Sequence, residues 1–299
     1  PVQNLATQDS TDHAAIDLSP RKWIGSNNWV VDGSWTKTGK PLLANDPHLG
    51  LTTPSIWYLA HINIQGHNMV GSTLPGIPFI VLGRNDRIAW GFTNTNPDVQ
   101  DLYIERLSDD SGLAYETETG PREFLIREEV IKVKGQDDVI IRVRESRHGP
   151  IISDASEDIK GLVDDKHVMA FRWTALEETD GSASAGRQIF GASNWDDMRQ
   201  ALTSFHAPEQ NIVYADVDGN IGYIAPGKVP IRNADSPTQG LLPARGWMGT
   251  DEWVGQIPFD DLPQSYNPPS GMVHTANQKI IRDDLSLIHI SEPTRLRHI

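Results

Sequence analysis

The sequence predicts an α+β layered fold, and three observations carry that expectation. Segments alternating apolar and polar residues recur in pairs around turn residues, and one window has helical apolar spacing behind an N-cap signal. No internal repeat or low-complexity block interrupts the chain. In chain order, residues 1 to about 20 are polar, lack periodicity and read as a linker. Trp29-Val30-Val31 opens a strand, Lys37-Thr38-Gly39-Lys40 reads as its turn, and Pro41 to Ala44 as the return. A turn centred between Thr38 and Gly39 sets Ala44 opposite Gly33 and His48 opposite Trp29. Asp46-Pro47-His48 then emerges beside the start of the first strand, near Ser26. "EEVIKVKGQDDVIIRVRE" predicts a hairpin about Gly135-Gln136-Asp137-Asp138. The one clear helix has Ser193 or Asn194 as its cap and Asp196 and Asp197 at its positive end. Its apolar stripe is Trp195, Met198, Ala201 or Leu202, and Phe205, and it ends near "HAPEQN". "IVYADVDGNIGYIA" is a second strong hairpin, turning on Asp218-Gly219.

Bulk properties exclude several classes. At 299 residues, 38% hydrophobic with nine Trp, the chain is globular and long enough to bury a core without staples. A net charge of −14 argues against a nucleic-acid or anionic-membrane surface, which needs clustered Lys and Arg. No apolar run reaches the length of a bilayer span. The absence of cysteine removes disulfides, thiolate metal sites and a Cys nucleophile. The first residues contain neither an initiator Met nor an apolar leader, which predicts that the natural start lies upstream. At the other end "SLIHISEPTR", Ser286 to Arg295, reads as a translated sequencing-library adapter. The expected division is therefore a linker or spacer over 1–25, a native unit over 26–285, and a non-native tail over 286–299.

Familiar enzyme signatures are missing: no G-x-S-x-G elbow, P-loop, dinucleotide fingerprint or H-E-x-x-H occurs. "DVDGN" has its Gly at the wrong place for an EF-hand and reads as a turn. His61 and His67 lack a third metal ligand and read as ordinary histidines. Gly25-Ser26 is left, ahead of an apolar strand. It is turn punctuation, or a point where the chain is cut. In the second case Ser26 would carry a free α-amine, of pKa ~7.7–8.0, beside its own hydroxyl. Such an amine takes the hydroxyl proton without any His-Asp pair.

Four blocks, in order and with compatible spacing, then carry a resemblance. They are "GSNNWVV", "LLANDPHLG", "GSTLPGIPFIVLGRNDRIAWGFTNTNPDVQDLYIERL" and "QNIVYADVDGNIGYIAPGKVPIR". From about Gly25 to about Lys279 the chain resembles the penicillin acylase family of N-terminal nucleophile hydrolases. The resemblance implies a four-layer αββα sandwich, incomplete here, and a precursor that cuts itself between Gly25 and Ser26. It implies an amidohydrolase acting on N-acyl amides such as β-lactam side chains or acyl-homoserine lactones. An α subunit from the same precursor would be its partner, the location would be periplasmic or secreted, and no cofactor would serve the chemistry.

By the same matching Ser26 is the nucleophile and His48 lies near its amine. Asn94 (through its backbone N–H) and Asn211 supply the oxyanion donors, and Arg232 supports the Asn and the amine. Leu49, Leu82 and Phe92 match the acyl pocket. Asp98, Gln100 and Asp101 in "NPDVQD" match a structural calcium loop completed by the other subunit. Two other readings stand beside this one: a β-rich carbohydrate- or peptide-binding module without chemistry, and a member that processes itself but has lost hydrolysis.

Overall fold

The computed structural model describes residues 25–50 and 52–280. The expected linker, apart from Gly25, and the expected tail over 286–299 lie outside the described residues. Seven strands open the chain: β1 (Gly25–Val31), β2 (Leu42–His48), β3 (Tyr58–Ile64), β4 (His67–Thr73), β5 (Leu82–Asn85), β6 (Ile88–Asn94) and β7 (Gln100–Arg106). After the exposed hairpin Leu125–Ile131/Val139–Ser146 come β8 (His167–Trp173) and two helices, α1 (Ser182–Ile189) and α2 (Trp195–Leu202). β9 (Gln210–Asp216), β10 (Ile221–Ile224), β11 (Gln264–Tyr266) and β12 (Met272–Thr275) follow.

The central sheet has seven strands in the order β11-β10-β9-β6-β5-β4-β3, and a smaller one has the order β2-β1-β12. Alternation along β9 shows how they stack, because successive side chains leave a strand on opposite faces. Ile212 and Tyr214 pack with Ile189, Trp195, Met198 and Leu202 of the helices. Val213 and Ala215 pack with Val30 of β1, Leu43 of β2 and Val273 of β12. Helices, central sheet and small sheet therefore form three successive layers, and β9 is buried along nearly its whole length. A third sheet, β8-β7 with Ala244–Arg245, has its own core around Tyr103, Tyr115 and Phe124.

The α+β expectation holds. The helix begins where the sequence places it: Asn194 caps α2, accepting from the Asp197 N–H at 2.9 Å, and Trp195, Met198, Ala201 and Leu202 are buried. Phe205 lies past the helix end but packs on the same cluster. The hairpins at Gly135 to Asp138 and at Asp218-Gly219 also form.

The first hairpin differs in register. Ala44 pairs with Trp29, not Gly33, and Ser26 with Pro47. The cause is local. Asp32 accepts the Ser34 N–H at 2.8 Å and starts a 3₁₀ turn over Gly33–Trp35, so the connection is longer than a tight turn at Thr38-Gly39. The slip of four residues is even, so every side chain keeps its face. Asp46-Pro47-His48 still ends beside Ser26, with His48 opposite Gly25.

Candidate active site

Ser26, second residue of β1, pairs with Pro47, and the register puts both on the small sheet's inner face with Asn28, Val30 and Leu43. Its backbone N–H donates to Asn277 Oδ1 at 2.5 Å, and Asn277 Nδ2 donates to the Asn94 carbonyl at 2.9 Å. Asn277 thus bridges the start of β1 to the end of β6. Ser26 opens on a cleft of about 960 Å³. Gly25, Leu49, Leu82, Phe92 and Asn94 line the same cleft, so the structure brings these sequence candidates together. Phe79, Ile189 and Phe205 make its wall strongly apolar, and Asn94, Gln210 and Asn277 add polar groups to the lining. An apolar cavity with few convergent polar groups is what a small-molecule site requires.

A buried polar network stiffens the floor. Thr275 donates to Asn28 Oδ1 at 2.5 Å, and the Thr275 and Thr93 hydroxyls are 2.6 Å apart. Asn28 Nδ2 donates to the carbonyls of Gly91 and Asn211, each at 3.3 Å. Asn211, fully buried, donates to Thr93 Oγ1 at 3.1 Å and to the Asn94 carbonyl at 3.3 Å, and accepts from the Tyr223 hydroxyl at 2.6 Å. Asn211 therefore sits directly behind Asn94, outside the cleft lining, with its amide hydrogens directed at β6. Pairing of β9 with β6, Asn211 against Thr93, fixes it there.

Other candidates lie apart. The cross-strand parity turns the His48 side chain to the small sheet's outer face, where Nε2 meets Asp46 Oδ2 at 2.8 Å and the imidazole is half exposed. Arg232 is buried and pairs with Asp101, Nη2–Oδ1 2.8 Å and Nε–Oδ2 3.0 Å, and with Asp98 Oδ1 at 3.1 Å. Burial works against that charge, but the two carboxylates outweigh it and raise the guanidinium above its ordinary value. Burial raises Asp98 in turn, against the pull of Arg232. The Trp253 indole N–H completes the cluster, donating to Asp101 Oδ2 at 2.5 Å.

This cluster tests the calcium loop. A calcium ion needs several oxygens converging on one point. Here the oxygens of Asp98 and Asp101 converge on a guanidinium, and the described residues hold no group of three or more His, Cys, Asp or Glu suited to a metal ion. As placed, these residues do not fit the cation, since Arg232 supplies the positive charge.

Nucleophile candidate, apolar cleft and paired sheets make a pattern that can be compared with known proteins. The penicillin amidase family model matches residues 2–299. The chain belongs to the penicillin amidase family. Among curated members of that family it is 34% identical over 270 residues to a penicillin acylase 2 proenzyme of Pseudomonas sp. (strain SE83), covering 90% of this chain and 33% of that protein. It is 30% identical to the acyl-homoserine lactone acylase QuiP of Pseudomonas aeruginosa, covering 94% of this chain and 33% of that one. A solved thermostable penicillin G acylase from Alcaligenes faecalis superposes with a TM-score of 0.75 at 30% identity, covering 86% of this chain and 45% of its own. The chain spans about a third of the length of the curated relatives it matches.

For a penicillin amidase family chain the missed residues are informative. Asn28, Thr93, Thr275, Tyr223 and Asn277 hold the site, yet none stands in a pattern that names a role. Only the β-strand alternation of Asn28 with Val30 pointed inward. Asn277 lies in "HTANQK", more than two hundred residues from Ser26, and the contact exists because β12 pairs with β1.

Proposed function

We propose that the chain carries the nucleophile-bearing part of an amidohydrolase for N-acyl substrates, matured by cleavage between Gly25 and Ser26. One observation carries the reading: Ser26, second residue of the small sheet's central strand, lines an apolar cleft of about 960 Å³, its nitrogen already held by a side-chain carbonyl. Cleavage would turn that nitrogen into an α-amine. The amine takes the proton from Ser26 Oγ as Oγ bonds to the acyl carbon, then passes it to the leaving nitrogen as the amide C–N bond breaks. Water enters by the reverse route, loses a proton to the amine and releases the acid.

The oxyanion needs donors in place before it forms. The Asn94 backbone and the Asn211 amide are the proposed pair, and Asn211 would exchange a hydrogen bond inside β6 for one to the oxyanion. Arg232 is proposed to brace this end of β6 through Asp98 and Asp101 just beyond it, without metal. His48 is proposed to act through its backbone, opposite Gly25. Leu49, Leu82 and Phe92 would receive an apolar acyl group; β-lactam side chains and acyl-homoserine lactones both supply one, and both substrate types are named among the relatives. The three layers described support a four-layer sandwich whose fourth layer covers the small sheet's outer face. An α subunit from the same polypeptide and a periplasmic or secreted location complete the proposal; no helix among the described residues is long and apolar enough to cross a membrane.

The test is Ser26→Ala in the polypeptide expressed with its natural flanking sequence. The wild type should yield a fragment beginning Ser-Asn-Asn-Trp and hydrolyse acyl amides. The variant should stay uncut and inactive. A well-folded wild type that is never cut would sink this mechanism and leave a binding module. The 299-residue chain alone, with Ser26 still in a peptide bond, should show no turnover.

A further inference from the structure

We propose that Asp180 is a specificity-determining residue, a fixed negative charge that turns the cleft toward N-acyl amides whose amine half carries no carboxylate. The proposal rests on the Ser26 reading and selects between the two substrate types proposed above, acyl-homoserine lactones over β-lactams. Among the described residues lining the cleft, Asp180 is the one ionisable side chain. Its Oδ1 accepts from the Ser182 N–H at 2.9 Å and from the Ser182 hydroxyl at 2.7 Å. Both donors are neutral, so neither cancels the charge. His206 Nδ1 stands 3.8 Å from the same oxygen, outside hydrogen-bond distance, and the Asp180 side chain is 40% exposed.

The fold decides which half of the substrate meets this charge, because α1 runs along the cleft from one end of β6 to the other. Past its C-terminal end, Asn85 Nδ2, ahead of β6, donates to the carbonyls of Phe190 at 3.3 Å and Ala192 at 2.8 Å. At its N-terminal end, Ser182 Oγ accepts from the His206 and Ala207 N–H groups at 2.9 and 3.0 Å. That segment leads into β9, where Gln210 pairs with Asn94, the last residue of β6. Ser26 is tied to the same end, since its N–H and the Asn94 carbonyl share the Asn277 side chain. Asp180, Gln210 and Asn94 therefore form the polar end of the lining, with Ser26, while Trp90, Gly186 and Ile189 continue its apolar part toward Asn85. An acyl chain buried in the apolar part leaves the amine half beside Asp180. The amine half of a penicillin bears a carboxylate, and like charges brought together in a partly desolvated cleft repel. A homoserine lactone is neutral and meets no such cost. Repelling the wrong substrate confers specificity as surely as attracting the right one.

The protein with its natural flanking sequence is compared as wild type, Asp180→Asn and Asp180→Glu, after the N-terminus of each large fragment has been determined. Three substrates share one acyl chain: octanoyl-homoserine lactone, its ring-opened carboxylate octanoyl-homoserine, and octanoyl-6-aminopenicillanate. The readout is released octanoate, expressed as kcat/KM for the lactone divided by kcat/KM for each carboxylate. Asn keeps an acceptor oxygen for Ser182 and removes only the charge. The wild-type ratio should exceed that of Asp180→Asn about fivefold, or about 1 kcal/mol, carried mainly by KM. Asp180→Glu should restore most of the difference. Raising salt from about 0.05 M to about 0.5 M should shrink the wild-type ratio toward the Asp180→Asn value, because the interaction is screened. Equal ratios in wild type and a folded Asp180→Asn overturn the proposal and leave Asp180 as a support for the start of α1. If Asp180→Asn does not fold, the wild type decides: a ratio that shrinks with salt supports the proposal, and one unmoved by salt overturns it. A wild type that is never cut before Ser26, or that releases no octanoate from any of the three, instead removes the Ser26 reading itself, and this proposal with it.

Discussion

Glu209 precedes Asn211 by two residues, is only 7% exposed, and receives a long bond of 3.5 Å from the Thr174 hydroxyl. Burial pushes its carboxyl up to about 7, from an ordinary value of 4.5. Between those values the folded chain holds a proton that the unfolded chain has lost, so stability falls as pH rises through the window and is flat above it. The two and a half units correspond to roughly 3 kcal/mol at the plateau. Glu209→Gln keeps the shape and cannot ionise. Its melting temperature should match wild type near pH 4 and exceed it increasingly up to about pH 7, and equal curves at pH 8 would refute a neutral buried Glu209. The sequence did not show this, because "HAPEQN" reads as a polar turn and burial is set by the strands around it. Arg232 makes the same point from the other side. In "VPIR" it resembles a surface charge, yet its side chain is 5% exposed between two carboxylates more than one hundred and thirty residues away. From its neighbours alone Gly25-Ser26 could be a turn or a cut, and the proposed role of Ser26 comes from the family blocks around it. The contact of Asn277 with Ser26 was not legible, since it comes from a strand pairing.

Among the elements, α1 sets one wall of the cleft. A Cβ added to Gly186 would lie 2.2 Å from Cε2 and 2.3 Å from Cζ of Phe79, a cleft-lining ring. Gly186→Ala gains about 1 kcal/mol of helix propensity. Displacing a packed ring costs about 1–3 kcal/mol, so the steric term should win or draw. A ring pushed toward the cavity it lines would narrow the cleft. Melting should therefore be unchanged or lower, while kcat/KM for long acyl amides falls more than for acetyl amides in the same protein. A uniform loss across chain lengths would show that Phe79 does not bound the acyl site. Elements governed by local rules were readable: Asn194 caps α2 and Asp218-Gly219 turns the β9–β10 hairpin. The β1–β2 register was missed because Asp32 captured the Ser34 N–H and lengthened the connection, a competition between two plausible turns. The faces survived, as an even slip must leave them.

Over the whole molecule, the small sheet shows an unusual outer surface. Trp29, Leu42 and Met272 are 40%, 52% and 39% exposed, and cross-strand pairing through Val31 puts them all on the face away from the core. An antiparallel sheet with one wet face alternates apolar and polar residues, whereas runs such as Trp29-Val30-Val31 and Leu42-Leu43 mark strands covered on both sides. The sequence carried that signal, but it could not say what does the covering, because the chain spans only about a third of its relatives' length. The proposed fourth layer supplies the cover, and this face should then respond to the same change differently with and without it. Leu42→Glu with Met272→Glu should make the 299-residue chain less prone to associate and weaken its binding of a hydrophobic dye, since an apolar patch in water is replaced by charge. In the polypeptide with its natural flanking sequence, the same pair would bury two unpartnered carboxylates and should lower the melting temperature by several degrees or prevent cleavage before Ser26. Opposite signs in the two contexts identify a covered face. A neutral result in the longer polypeptide would mean that this surface stays in water, and the four-layer assignment would fall.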